Sequence, residues 1–177
     1  MKITNNQIPL LAITAYSGTG KTTLLKKLIP ELFSMGIRCG LIKHSHHNMD
    51  IDKPGKDSYE LRKAGATQTI VACDQRWALM TETPDNAVNL SGLITQFNPD
   101  LIDLVLIEGF KHEPVNKIAL FRSSIAKPFE GLIDQYVIAL ATDDDIELNI
   151  PKLDINNPAV IAKFIQTWLN SQKIEKY

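Results

Sequence analysis

Ala15-Tyr16-Ser17-Gly18-Thr19-Gly20-Lys21-Thr22-Thr23 is the stretch on which the reading of this chain turns. The apolar run Ile8-Pro9-Leu10-Leu11-Ala12-Ile13 precedes it and a leucine-rich segment follows. Strand, glycine-rich turn, Gly-Lys-Thr and helix together mark a phosphate-binding loop rather than a chance helix start. Without Cβ atoms, Gly18 and Gly20 are free to take positive φ and let the main chain approach phosphate oxygens. The helix beginning near Gly20 adds unpaired N–H groups and the positive end of its dipole. Ser17, Gly18, Thr19, Gly20, Lys21, Thr22 and Thr23 are therefore the expected polyphosphate-binding segment. Lys21 is placed for the β- and γ-phosphates, the Thr22 hydroxyl for magnesium, and Thr23 for the α-phosphate. One departure is Ala15, where the pattern asks for glycine; alanine fits if it keeps negative φ at the strand end.

Outward from the loop, strands and helices alternate. Ile8–Thr14 reads as a strand and Lys21–Met35 as a helix. Leu24, Leu25, Leu28, Ile29, Leu32 and Phe33 form its apolar face, and Gly36 stops it. Pro30 implies a kink or an early end with a restart. Ile37–Lys43 is a second strand and His44–Lys56 a long, switch-like polar loop. Asp57-Ser58-Tyr59-Glu60 has capping-box spacing and starts a short helix to about Ala64. Thr67–Cys73 and Arg76–Thr81 form a hairpin around Asp74-Gln75. Asn86–Phe97 is a helix, and Leu101–Ile107, Lys117–Arg122 and Tyr136–Ala141 are strands. Pro158–Asn170 is a closing helix, and Ser123–Gln135 is surface loop or a short helix. The expected fold is α/β, a mostly parallel P-loop-type sheet with helices on both faces. Thr67–Thr81 and Lys117–Arg122 are candidates for antiparallel pairing at an edge.

At 177 residues the chain reads as a single nucleotide-binding domain, with residues 1–7 an N-terminal extension. The net charge of −1 argues against a broad nucleic-acid-binding surface. No run reaches the ~18 apolar residues of a membrane span, and the N-terminus lacks a signal-peptide apolar region. Cys39 and Cys73, both in predicted strands, read as buried free thiols, which fits a reducing, cytoplasmic setting.

Leu104-Val105-Leu106-Ile107-Glu108-Gly109 is the second strong element. An apolar strand ending in an acid puts Glu108 at the carboxyl edge of the sheet, where ligands bind in open α/β folds. There it holds magnesium through water or orients the attacking water. His44, His46, His47, Asp50 and Asp52 lie close together in sequence. They suggest either a transition-metal site or, the favoured reading, a loop that brings Asp50 or Asp52 to magnesium and Lys43 and His44 to phosphate or a partner. Asp143, at the end of an apolar strand, is either an acceptor for a guanine base or a helix-capping acid.

These residues resemble the MobB family, the molybdopterin-guanine dinucleotide biosynthesis adaptor proteins. The resemblance rests on Ala15–Thr23, Gly40-Leu41-Ile42-Lys43-His44, Asp52–Ala66, Arg76–Glu82 and Ile107-Glu108-Gly109-Phe110-Lys111. It implies a GTP-binding protein with weak magnesium-dependent GTPase activity. Such a protein assists attachment of GMP to molybdopterin beside a nucleotidyltransferase of the MobA type, and acts as a homodimer. It also implies that Gly18–Thr23 hold phosphates, that Glu108 belongs to the magnesium site, and it favours Asp143 for the guanine. Three other readings compete. A small-molecule kinase needs an acceptor site and a cationic lid, and Arg38, Arg62, Arg76 and Arg122 are scattered. A non-hydrolysing adaptor for nucleotide or pterin would use nucleotide only to set conformation. A metal-insertion GTPase would use the histidines.

Overall fold

The structure is a computed structural model that describes residues 8–45, 50–84 and 88–174. Its elements in chain order are β1 (Leu10–Ala15), α1 (Lys21–Ser34), β2 (Cys39–Lys43), α2 (Asp57–Lys63), β3 (Gln68–Cys73), β4 (Arg76–Thr81), α3 (Leu90–Ile94), β5 (Leu104–Glu108), β6 (Lys117–Phe121), β7 (Val137–Thr142), β8 (Lys152–Asp154) and α4 (Pro158–Ile174). They divide into two compact units: one runs to His44 and resumes at Leu93, and the other is Ser45–Gly92.

The first unit carries a sheet of order β2-β5-β1-β6-β7-β8. Every neighbouring pair in it is parallel. Alternation along the strands supplies two apolar faces. Leu11, Ile13, Leu104, Leu106, Ile118 and Leu120 point to one, where Leu24, Leu25, Leu28 and Leu32 of α1 and Ile161, Ile165 and Leu169 of α4 cover them. Ala119, Phe121, Val137 and Leu140 serve the other, against Leu132, Phe129 and Ile146. Both faces being covered explains why the strands read as unbroken apolar runs. At Gly40 a Cβ would lie 2.7 Å from the Phe97 ring and 2.8 Å from Ile102, so only glycine lets these side chains close on β2.

The second unit holds α2 and the antiparallel hairpin β3–β4, with Cys73 opposite Arg76. Arg62 is buried there and donates from Nη1 to Glu82 at 2.7 Å and from Nη2 to Asp50.

Several expectations need correction. Lys117–Arg122 is not an antiparallel edge: β6 runs parallel between β1 and β7. The strand Lys152–Asp154 went unforeseen because a single buried Leu153 between two exposed residues leaves no apolar run. The helix expected over Asn86–Phe97 is only Leu90–Ile94; Asn86 and Ala87 lie outside the described residues. The N-cap of α2 is Lys56, not Asp57, although the Glu60 carboxylate still turns back to accept from the Gly55 N–H. Helix α1 continues past Pro30 to Ser34 instead of ending early and restarting, with Pro30 itself exposed. Cys39 is partly buried, but Cys73 is exposed. Phe33, expected on the buried face of α1, is 71% exposed.

Leu28 and Phe33 therefore separate cleanly by substitution. Leu28 is fully buried, so Leu28→Ala is expected to cost about 2–5 kcal/mol of stability. Phe33→Ala should fall within about 0.5 kcal/mol of the parent. Equilibrium denaturation measures both.

Candidate phosphate and magnesium site

The register of the parallel strands builds the site. Ala15 at the end of β1 is buried and in strand conformation, and Phe110 is the sole non-glycine with positive φ among the described residues, so alanine meets the condition set for it. Gly18 and Gly20 take φ of 84° and 95°, the left-handed conformation the turn requires. Gly20 caps α1 with no side-chain bond. The first intrahelical bond runs from the Leu24 N–H to the Gly20 carbonyl at 2.9 Å, so the N–H groups of Lys21, Thr22 and Thr23 precede the helical ladder. Ser17, Gly18, Thr22 and Thr23 are exposed. Thr19 is buried, its hydroxyl donating to the Tyr16 carbonyl at 3.0 Å, so its side chain braces the turn from within.

Lys21 folds back over the loop, donating from Nζ to the carbonyls of Ala15 at 3.1 Å and Tyr16 at 3.3 Å. Burial pushes its ammonium below the usual lysine range against the pull of Glu108, and Lys111 and Lys43 add to the depression. Glu108 ends β5 beside β1, opposite Ile13, and on its other side faces Lys43 of β2. The Lys43 Nζ stands 3.8 Å from Glu108 Oε2. One carboxylate thus sits among Lys21, Lys43 and Lys111 at the carboxyl edge of the sheet.

The chain turns sharply after Glu108. Gly109 has φ of 105° and Phe110 φ of 50°. A Cβ at Gly109 would lie 2.7 Å from the Cβ of His44, so the glycine is a requirement of close approach as well as of backbone angle. The His44 ring stacks on Phe110 with centroids 4.5 Å apart, and the His44 N–H donates to the Glu108 carbonyl at 2.8 Å. His44 and Lys43 are therefore held at the edge where Glu108 ends.

Asp50 and Asp52 belong to the second unit. Asp50 pairs with Arg62 and stands 3.9 Å from the Lys63 Nζ. Asp52 accepts from the Lys53 N–H through Oδ1, while its buried Oδ2 has no hydrogen-bond partner. His46 and His47 lie outside the described residues. Among the described residues no three His, Cys, Asp or Glu side chains converge as a metal-binding cluster.

Arg122 is the residue beside the loop whose place pattern reading missed. It follows β6 and donates from Nε to the Thr19 carbonyl at 3.2 Å, from Nη1 to Asp143 at 3.1 Å and from Nη2 to Asn156 Oδ1 at 2.9 Å. It ties the glycine-rich loop to the ends of two further strands. Applying the carboxyl-end rule to β6 as well as to β5 and β7 would have found it. The Ser123–Gln135 region also lies against the loop. Tyr16 donates its hydroxyl to the Pro128 carbonyl at 2.9 Å, and Ile125 reaches within 3.8 Å of where a Gly18 Cβ would stand.

Residues 10–143 match the family model described as MobB, molybdopterin guanine dinucleotide synthesis protein B. The chain belongs to the MobB family. It is 59% identical to the molybdopterin-guanine dinucleotide biosynthesis adapter protein of Escherichia coli (strain K12), over 93% of this chain and 95% of that one. It is 57% identical to the adapter protein of the same description from Haemophilus influenzae, over 94% and 92%. Its fold matches a crystal structure of molybdopterin-guanine biosynthesis protein B, with a TM-score of 0.73 at 24% identity over 91% of this chain and 99% of that one. The Bacillus subtilis MobB structure gives 0.72 at 24% identity, over 90% and 96%. This member of the MobB family therefore has the parallel α/β architecture that its phosphate loop implied.

Asp143 supplies a test of the Arg122 hub. The Ser123 N–H and the Arg122 guanidinium hold its carboxyl below the ordinary aspartate range. A depressed carboxyl contributes stability above its unfolded value, about 4. That contribution disappears as pH falls through the lower folded value. Asp143→Asn is expected to flatten this part of the acid limb, read as the pH dependence of the denaturation midpoint.

Proposed function

We propose that this chain is an adapter of molybdopterin-guanine dinucleotide biosynthesis that binds GTP with magnesium and hydrolyses it slowly. The carrying observation is the pairing of a glycine cradle with Lys21 and Glu108 at one sheet edge: Gly18 and Gly20 at positive φ, Lys21 over the loop, and the acid at the end of the neighbouring strand. The names of the 59% and 57% identical relatives support the pathway.

In this reading the exposed N–H groups from Gly18 to Thr23 cradle the phosphates. Lys21 leaves the Ala15 and Tyr16 carbonyls for the β- and γ-phosphate oxygens. The donor set fits magnesium, a hard cation that keeps several waters and takes few protein oxygens: one hydroxyl, Thr22, and one carboxylate, Glu108. The magnesium proposal rests on those two residues alone. When bound, the cation would neutralise charge on the phosphate oxygens. Glu108 also serves to orient the attacking water, with Lys43 holding its carboxylate in place. Asp143 and Arg122 brace the loop from the side. With Arg122 committed to Thr19, Asp143 and Asn156, no arginine among the residues around the cradle is offered to the γ-phosphate, and slow turnover follows.

The expected setting is the cytoplasm, with a MobA-type nucleotidyltransferase and molybdopterin as partners; no helix among the described residues is long and apolar enough to cross a membrane. A second copy of the chain is the expected partner of the hairpin. None of the β3–β4 residues is buried, and Ile70 and Trp77 are 64% and 67% exposed. A lone two-stranded hairpin is marginal in water, and such apolar exposure on it calls for a covering surface.

Two experiments test these readings. Lys21→Ala should weaken GTP binding at least a hundredfold, whereas Glu108→Gln should retain binding and lose hydrolysis. If cofactor maturation in cells survives Glu108→Gln but not Lys21→Ala, nucleotide binding is the working event; loss with both makes turnover essential. A magnesium-GTP titration showing no binding to the parent protein would refute the proposal. For the dimer, sedimentation should give twice the chain mass for the parent and a monomer for Trp77→Asp; a monomeric parent rejects it.

A further inference from the structure

Beside the phosphate loop lies a cavity of about 270 Å³. Thr23 and Lys27 of α1, Arg122, and Ile155, Asn156 and Pro158 before and at the start of α4 line it, together with the loop backbone. We propose that this cavity is the nucleobase subsite and that Asn156 selects a 6-oxopurine over adenine. The inference rests on the GTP reading above and names the cavity and the residue that would read its base.

The cavity shares Gly18, Thr19, Gly20 and Thr23 with the phosphate cradle, so a nucleotide held there by its phosphates has its sugar and base directed along one continuous surface. Ile155 and Pro158 offer apolar walls to a planar ring, and the Lys27 stem adds another. The selectivity follows from Arg122. A guanidinium only donates, so the group of Asn156 facing its Nη2 at 2.9 Å is the carbonyl Oδ1. That bond fixes the amide orientation and leaves Nδ2, a donor, for the ligand. Guanine presents acceptors at O6 and N7, whereas adenine puts an amino donor at position 6. A donor facing that edge bonds to the first and opposes the second.

Asp143 then acts at one remove. Its Oδ2 accepts from Arg122 at 3.1 Å and its Oδ1 from the Ser123 N–H at 2.9 Å. It is a positioning residue that holds Arg122, which holds Asn156.

Titrations with GTP, inosine triphosphate and ATP test this on the parent protein. Inosine triphosphate keeps the 6-oxygen and lacks the 2-amino group. It should bind within about threefold of GTP, and ATP about tenfold more weakly, the scale of one hydrogen bond gained or opposed. Asn156→Asp removes the donor and should erase most of that GTP-to-ATP ratio. Asp143→Asn should reduce the ratio less. Equal binding of all three nucleotides by the parent, or a ratio unchanged in Asn156→Asp, would overturn the assignment. So would a strong preference for GTP over inosine triphosphate that disappears in Asp143→Asn, since that pattern means a carboxylate reads the base directly. Failure of the parent to bind any nucleotide or inorganic tripolyphosphate would instead reject the phosphate grip itself.

Discussion

The parallel pairing of β1 between β5 and β6 is the constraint on which everything else depends. It sets Ile13 opposite Glu108 and Ala15 opposite Leu120. Because the strands run the same way, their polar ends accumulate along one edge. The glycine-rich loop after β1, the acid ending β5, Arg122 after β6 and Asp143 after β7 are neighbours for that reason alone. An antiparallel partner on either side of β1 would have sent one of these groups to the opposite edge.

Burial makes this arrangement rigid. The β1, β5 and β6 interiors are buried on both faces, so a one-residue slip would exchange the side chains packed on one face with those packed on the other and undo both sets of contacts. The loop after β1 therefore starts from a fixed point. Its own braces are few: Thr19 inside the turn, Tyr16 tied to Pro128, and Arg122 gripping the Thr19 carbonyl. The exposed residues Ser17, Gly18, Thr22 and Thr23 are those with no such task.

How much of this was legible in sequence depends on the range of each interaction. The loop, α1 and Glu108 were readable because their cues are local: apolar run, glycines, a strand-end acid. The chemistry of Arg122 was not. Its partners Thr19, Asp143 and Asn156 lie 103, 21 and 34 residues away, and no spacing pattern connects them. The edge placement of Lys117–Arg122 failed for a related reason, since strand order is set by the whole sheet and not by the strand. Phe33 was misjudged because one helical position past Leu32 rotates a side chain by about 100°, from core to solvent. The register of Asp57–Glu60 was right in kind and one residue off in place.

The resting position of Lys21 has a further consequence. Its ammonium already has two neutral acceptors, the carbonyls of Ala15 and Tyr16. Any incoming group must outcompete them to recruit it. A neutral oxygen offers nothing better, whereas an anionic one adds the attraction of opposite charges. The loop thus carries its own threshold: only a group that outcompetes two carbonyls can draw Lys21 away, and at rest the cation is not stranded.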